Sequence, residues 1–277
     1  MDGGLSDHHH PDRLTPDGAS VVVPRAGPSK GRERSAVGHC RAAAFDQVSR
    51  RCNLAAMAVG RRPSRAALGF AVHTGWAAMV AVSSGSTSSV EVLDRRRLEM
   101  IAGRDPEIPR FAYHAAKDLP LDAAERLIRG ITQRSLASAK TALKAAVEEL
   151  ETRDYRVVAS CLIVGGRPLP ASLASILQSH ALIHTAEGEL FRGALRGASE
   201  SLEIPVTEVR AKELRSRAAG ALGISTGHLE QHLEEIGRVA GRPWAKDQKE
   251  ACLAAAIALW LEARADQASS QPNIQRS

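Results

Sequence analysis

Large rings are scarce in this chain. Phe, Trp and Tyr together make up 3% of its 277 residues, whereas apolar residues reach 44%, much of that alanine. A core of this kind closes by intimate approach of helices and strands, because few rings are present to bridge wider gaps. Long apolar runs are missing as well: none approaches the ~20 residues that a bilayer span needs. The N-terminus lacks the charged-then-apolar order of a secretory signal. The expectation is a cytoplasmic protein that meets no membrane. Cysteine is equally sparse. Cys40, Cys52, Cys161 and Cys252 form no C-x2-C pair, so neither a zinc ribbon nor a disulfide scaffold is indicated. Cys161, in an apolar run, and Cys252, in an alanine-rich stretch, read as buried free thiols.

What surplus of charge there is sits at one end. Residues 1–65 carry 11 Lys+Arg against 6 Asp+Glu, and the remainder carries 26 against 25. The first 65 residues are rich in Gly, Pro, Asp and Arg without a sustained period, which predicts a disordered basic arm. His8, His9 and His10 within it read as solvated imidazoles. Part of the arm reads as an over-extended gene start, with translation beginning at Met57; N-terminal sequencing of the natural protein decides this, and peptides from residues 1–56 would refute it. Residues 66–265 read as one α/β domain, and 266–277 as a disordered tail.

Within the domain, Leu68–Ser84 predicts two strands around a His-Thr-Gly-Trp turn, and Ser88–Met100 alternates as a third. A Pro-bearing connection, Gly103–Pro120, leads to a helix over Leu121–Thr152. Tyr155–Val164 is a buried-strand run closed by Gly165-Gly166. Helices follow over Ala171–Gln178 and Ala181–Leu202, a strand over Ile204–Arg210, and helices over Ala211–Leu222, Thr226–Val239 and Ala245–Arg264. The order implies a mixed five-stranded sheet, a three-strand meander followed by alternating units, with helices on both faces.

That order resembles the ribonuclease-H-like fold, and within it the Holliday-junction-resolvase type. Two segments carry the likeness. Gly69-Phe-Ala-Val-His73-Thr-Gly75 is similar to a strand ending in Asp-Pro-Gly, and Lys246-Asp247-Gln-Lys-Glu250 is similar to an acidic pair opening the last helix. The resemblance implies two divalent metals held by carboxylates, activating water and stabilising the leaving oxygen. Here the first position is His73, and the fourth strand ends without a carboxylate. Hard Mg²⁺ prefers carboxylate and water oxygens to imidazole, so any metal in such an altered site would be Mn²⁺ or Zn²⁺ rather than Mg²⁺.

The most distinctive segment is His180-Ala-Leu-Ile-His184-Thr-Ala-Glu187. On a helix, His180, His184 and Glu187 share one face. They can ligate a transition metal, or lie at a core boundary and bond to each other or to backbone. His73, Glu187, Asp247 and Glu250 are the candidate catalytic residues; His184, Glu187 and Glu250 are the candidate metal ligands. Asp247 and Glu250 equally suit a helix first turn, where the dipole favours acids, and His73 suits a hydrogen-bonded core edge. Trp76 and Trp244 read as anchors. Gly165-Gly166-Arg167 before a helix is a faint anion-loop pattern. Arg95-Arg96-Arg97 is the best candidate contact to nucleic-acid phosphates, or else a solvated strand edge. Two function classes remain open: a non-catalytic domain that binds a protein partner or nucleic acid, and a metal-dependent nuclease-like enzyme with an altered His/Glu/Asp site.

Overall fold

Side-chain alternation along the first strand sets the layers. In β1 (Ser64–His73), Ala66, Leu68 and Phe70 enter one core, while Ala67 and Ala71 enter another on the opposite face. The computed structural model describes residues 62–85, 90–101, 108–166 and 168–270. The expectations placed on residues 1–61, on Arg167 and on 271–277 lie outside these. Strand β2 (Trp76–Ser84) returns antiparallel after the Thr74-Gly75 turn, where Gly75 takes φ of 83°. Strand β3 (Val90–Glu99) pairs antiparallel with β2; β4 (Tyr155–Val164) joins the other side of β1 in parallel, and β5 (Val206–Arg210) extends β4. The sheet order is β3-β2-β1-β4-β5, with β2 alone running against the rest. This is the ribonuclease-H-like arrangement expected from the element order.

Seven helices cover the two faces among the described residues. On one side lie α1 (Ala112–Ala116), α2 (Leu121–Glu151) and α4 (His180–Ser201), with α3 (Leu173–Leu177) beside α4. On the other lie α5 (Leu214–Leu222), α6 (Leu229–Ala240) and α7 (Lys246–Ser270). Helix α7 is the centre of its layer. All nine residues from Ala251 to Leu259 are buried, against β1, β2 and β4 below and α5 beside. So continuous a burial needs small side chains, which is what Ala251, Ala254, Ala255 and Ala258 supply.

At Gly69 the approach is closest. A Cβ there would overlap the Ala251 carbonyl oxygen and the Ala255 backbone nitrogen. Cys161 and Cys252 lie in this same layer, and burial pushes both thiols up to about 12. They stay protonated and inert at neutral pH.

Several boundaries differ from the sequence reading for physical reasons. β1 begins at Ser64, since its amide bonds to the Asp154 carbonyl at 2.8 Å. A 3₁₀ turn, Ala211–Glu213, takes the first residues expected of α5. α7 continues to Ser270, into the stretch read as tail, because Ala263–Ala268 contains good helix formers and no Pro or Gly. The five-residue α1 stands in the connection that carried no expected element. No helix among the described residues is long and apolar enough to cross a membrane.

Gly69→Ala should cost at least ~2–3 kcal/mol, because the obstruction is backbone and no rotamer relieves it. Gly130→Ala, in mid-α2 with nothing within 4 Å of the added methyl, should instead stabilise by ~0.5–1 kcal/mol. Urea unfolding of both variants checks the pair; equal midpoints would contradict the close docking of α7 on β1.

Candidate functional site

In open α/β sheets ligands gather beyond the carboxyl ends of the strands, where connections diverge to opposite sides. Here that place is the end of β1, between β2 and β4. His73 closes β1 directly opposite Trp76, and the two rings stack at 4.2 Å with an interplanar angle of 8°. The Arg97 guanidinium lies 3.8 Å from the Trp76 ring centroid, over its π face, and also pairs with Glu99. Docking of α7 over Gly69 carries Asp247, one turn before Ala251, to this end. Its Oδ2 is 3.1 Å from His73 Nε2, with His73 41% and Asp247 29% exposed. The pair orients the imidazole and leaves Nδ1 as its other nitrogen.

Few other acids join it. Glu250 lies 3.8 Å from the Lys246 ammonium. β4 runs out in Gly165-Gly166, and a Cβ on Gly165 would lie 3.9 Å from Arg192 Nη2. Arg192 is itself held by Glu189 at 2.9 Å. The end of the sheet thus gathers imidazole, indole and guanidinium between the Asp247 and Glu99 carboxylates.

Glu187 lies elsewhere. It falls on the buried stripe of α4 with Ile183, Leu190, Phe191 and Ala194, on the face of the sheet away from α7, and is 2% exposed. Its carboxylate caps the first turn of α1, accepting from the amides of Ala112 (3.1 Å), Tyr113 (2.8 Å) and His114 (3.1 Å). Those N–H groups have no partner inside so short a helix, and a buried carboxylate is costly unless it is hydrogen-bonded. Each need answers the other. The Tyr113 phenol, half-buried, is pushed up by desolvation and further by the charges of Glu187 and Glu189.

His114 completes the arrangement. Its Nδ1 is 3.2 Å from Glu187 Oε1. His180 and His184, one turn apart at the start of α4, bring their Nε2 atoms within 3.0 Å of each other. Edge-to-face contacts at 5.6 and 4.8 Å join the His114 ring to these two. The structure therefore brings His73 to Asp247, and His184 to Glu187 through His114. It holds Glu187 apart from His73, Asp247 and Glu250, across the sheet. His114 escaped the sequence reading because five helical residues show no period, and the carboxylate that caps them comes from position 187.

The arginine run is divided by strand alternation. Arg95 caps the C-terminal end of α6, donating to the carbonyls of Ala240 and Arg242 (2.6 Å to the latter). Arg96 points to the other face, 2.5 Å from both Glu149 on α2 and Asp94. Its hydrogen bond holds the Glu149 carboxyl below the usual range. Arg97 covers Trp76. All three guanidiniums offered by the sequence as phosphate contacts are engaged by the domain's own groups. Trp244 is an anchor, its indole N–H donating to the Leu233 carbonyl at 2.8 Å.

Glu187→Ala should lower stability by ~2–4 kcal/mol, since it orphans three amides and empties a buried site. Glu187→Gln should cost less. Hydrogen exchange should show the loss concentrated in α1; uniform loss across the sheet would argue against the capping role.

No protein-family model and no curated protein sequence matches the chain. Among solved structures, it is similar to T. thermophilus RuvC in complex with a Holliday junction substrate, with TM-score 0.42 and 11% identity over 69% of this chain and 91% of that one. It is also similar to a further Thermus thermophilus RuvC structure (TM-score 0.39, 12% identity, 73% of this chain and 96% of that one). The yeast mitochondrial Holliday junction resolvase Ydc2 gives TM-score 0.38 and 12% identity over 80% of this chain and 87% of that one. Strand order, strand direction and the placement of helices on both faces make the fold of this chain ribonuclease-H-like.

Proposed function

We propose that the domain keeps a ribonuclease-H-like scaffold as a non-catalytic, partner-binding module whose metal site is degenerate. The observation that carries this reading is His73 paired with Asp247 at the end of β1. Two hard divalent ions need several carboxylate oxygens converging on them. Asp247 is here taken up by an imidazole, Glu250 has an ammonium beside it, and Arg192 lies near the glycine that closes β4. An ammonium and a guanidinium stand where a Mg²⁺ pair would want anions. A partner would meet the half-exposed edge of the His73–Trp76–Arg97 stack, and aromatic and Arg side chains are the types that anchor interfaces.

One observation favours the alternative, a metal-dependent nuclease-like enzyme with an altered site acting on nucleic acid. A half-exposed imidazole oriented by a carboxylate is the arrangement of a general base. The two readings separate in one assay. The full chain is incubated with branched and single-stranded DNA in Mg²⁺, Mn²⁺ or Zn²⁺, beside Asp247→Asn and His73→Ala. The module reading expects no cleavage above that of either variant. Metal-dependent cleavage that drops at least tenfold in both variants would overturn it and establish the altered enzyme.

A further inference from the structure

The three imidazoles on the α4 face are unexplained by the end of β1. One ring nitrogen of each of His114, His180 and His184 lies within 4.8 Å of the others, with His180 and His184 exposed and His114 half-buried. We infer that this cluster is a binding site for a divalent metal of the zinc class, which would staple α1 to the start of α4 and keep one coordination position open to solvent.

Three features support this. The first is spacing. Two imidazole nitrogens on one tetrahedral zinc, each ~2.0–2.1 Å from it, stand ~3.3 Å apart. His180 Nε2 and His184 Nε2 already stand 3.0 Å apart, so α4 presents two ligands within a few tenths of an ångström of the required bite.

The second feature is the tautomer of His114. Every group facing the Glu187 carboxylate is a donor, and its oxygens only accept. Nδ1 of His114 therefore carries a hydrogen, and in the neutral imidazole, the form that binds metal, the lone pair lies on Nε2. A carboxylate behind a histidine, fixing its tautomer and ring orientation, is the usual outer support of a metal-bound imidazole. Glu187 is in turn immobilised by three backbone amides, which makes the support rigid. It thus serves as a positioning residue and not as a ligand.

The third feature is donor chemistry. An all-imidazole set suits Zn²⁺ and its borderline neighbours, and is poor for Mg²⁺ or Ca²⁺, which take oxygen ligands. The site is therefore chemically distinct from the carboxylate site implied by the fold's resemblance, lies across the sheet from it, and stands whether or not the domain cuts nucleic acid.

The test uses the full chain with His8, His9 and His10 changed to Ala, which removes three adjacent histidines that could take metal by themselves. Protein is equilibrated with Zn²⁺, freed of excess by gel filtration, and its zinc counted by mass spectrometry. Thermal midpoints are recorded with and without Zn²⁺. The inference expects His180→Ala/His184→Ala in this background to retain one zinc fewer per chain and to lose the Zn²⁺-dependent rise in midpoint. Both side chains are exposed, so circular dichroism should remain native. Glu187→Gln should weaken Zn²⁺ binding by roughly 10–100-fold while keeping the three ligands, and Asp247→Asn should leave zinc retention unchanged. Equal zinc in the background and the double variant, or no Zn²⁺-dependent shift in the background, would overturn the site. Zinc lost equally with Asp247→Asn would move it to the end of β1.

Discussion

The close seat of α7 on β1 at Gly69 is the contact on which the rest of the domain depends. With no side chain there, the backbone of Ala251 and Ala255 comes down onto the central strand, and a helix buried on nearly every side becomes possible. The alanine content that reads as bland composition is what this seat demands. Dispersion among many small groups at short range replaces the large rings the chain lacks. The same seat fixes the register of α7 along β1, and so decides that Asp247, one turn earlier, stands across from His73, four residues beyond Gly69.

From that register the two faces of the sheet acquire different chemistry. On the α7 face, the end of β1 holds an imidazole clasped by one carboxylate and stacked into an indole–guanidinium pair. Its acids are already taken up by an imidazole, a guanidinium and an ammonium, which leaves little free anionic field for a hard metal. On the opposite face, the buried Glu187 is used for structure: it satisfies the start of α1 and orients His114 toward two histidines of α4. A carboxylate that sequence spacing offers as a ligand becomes, in three dimensions, the support behind one.

How far this was legible in the sequence follows from where each signal originates. Tyr155–Val164 is an apolar-rich run bounded by turn residues, and the strand has those bounds. The resemblance of two short segments offered His73 and Asp247 as members of one site with Glu187 and Glu250; the first two stand 3.1 Å apart, and Glu187 lies across the sheet. The stripe of α4 set Glu187 beside apolar Ile183, Leu190 and Ala194, which suited a core-boundary group as well as a ligand, and the structure buries it. What it meets there was hidden, since α1 lies more than seventy residues away in sequence and has too few residues to show a period. Arg95, Arg96 and Arg97 likewise read as one basic run, although a pleated strand must send the middle one to the other face. Pairwise contacts made at long separation, rather than local pattern, decided these cases.

The end of β1 is organised as an imidazole–carboxylate contact and not as a seat for hard metal ions. Titration of the ¹⁵N-labelled full chain with millimolar Mg²⁺ tests it most directly, read at the backbone amides of His73, Asp247 and Glu250. An imidazole–carboxylate contact of this kind gives no saturable shift at any of the three. Saturable Mg²⁺-dependent shifts at all three together would contradict it.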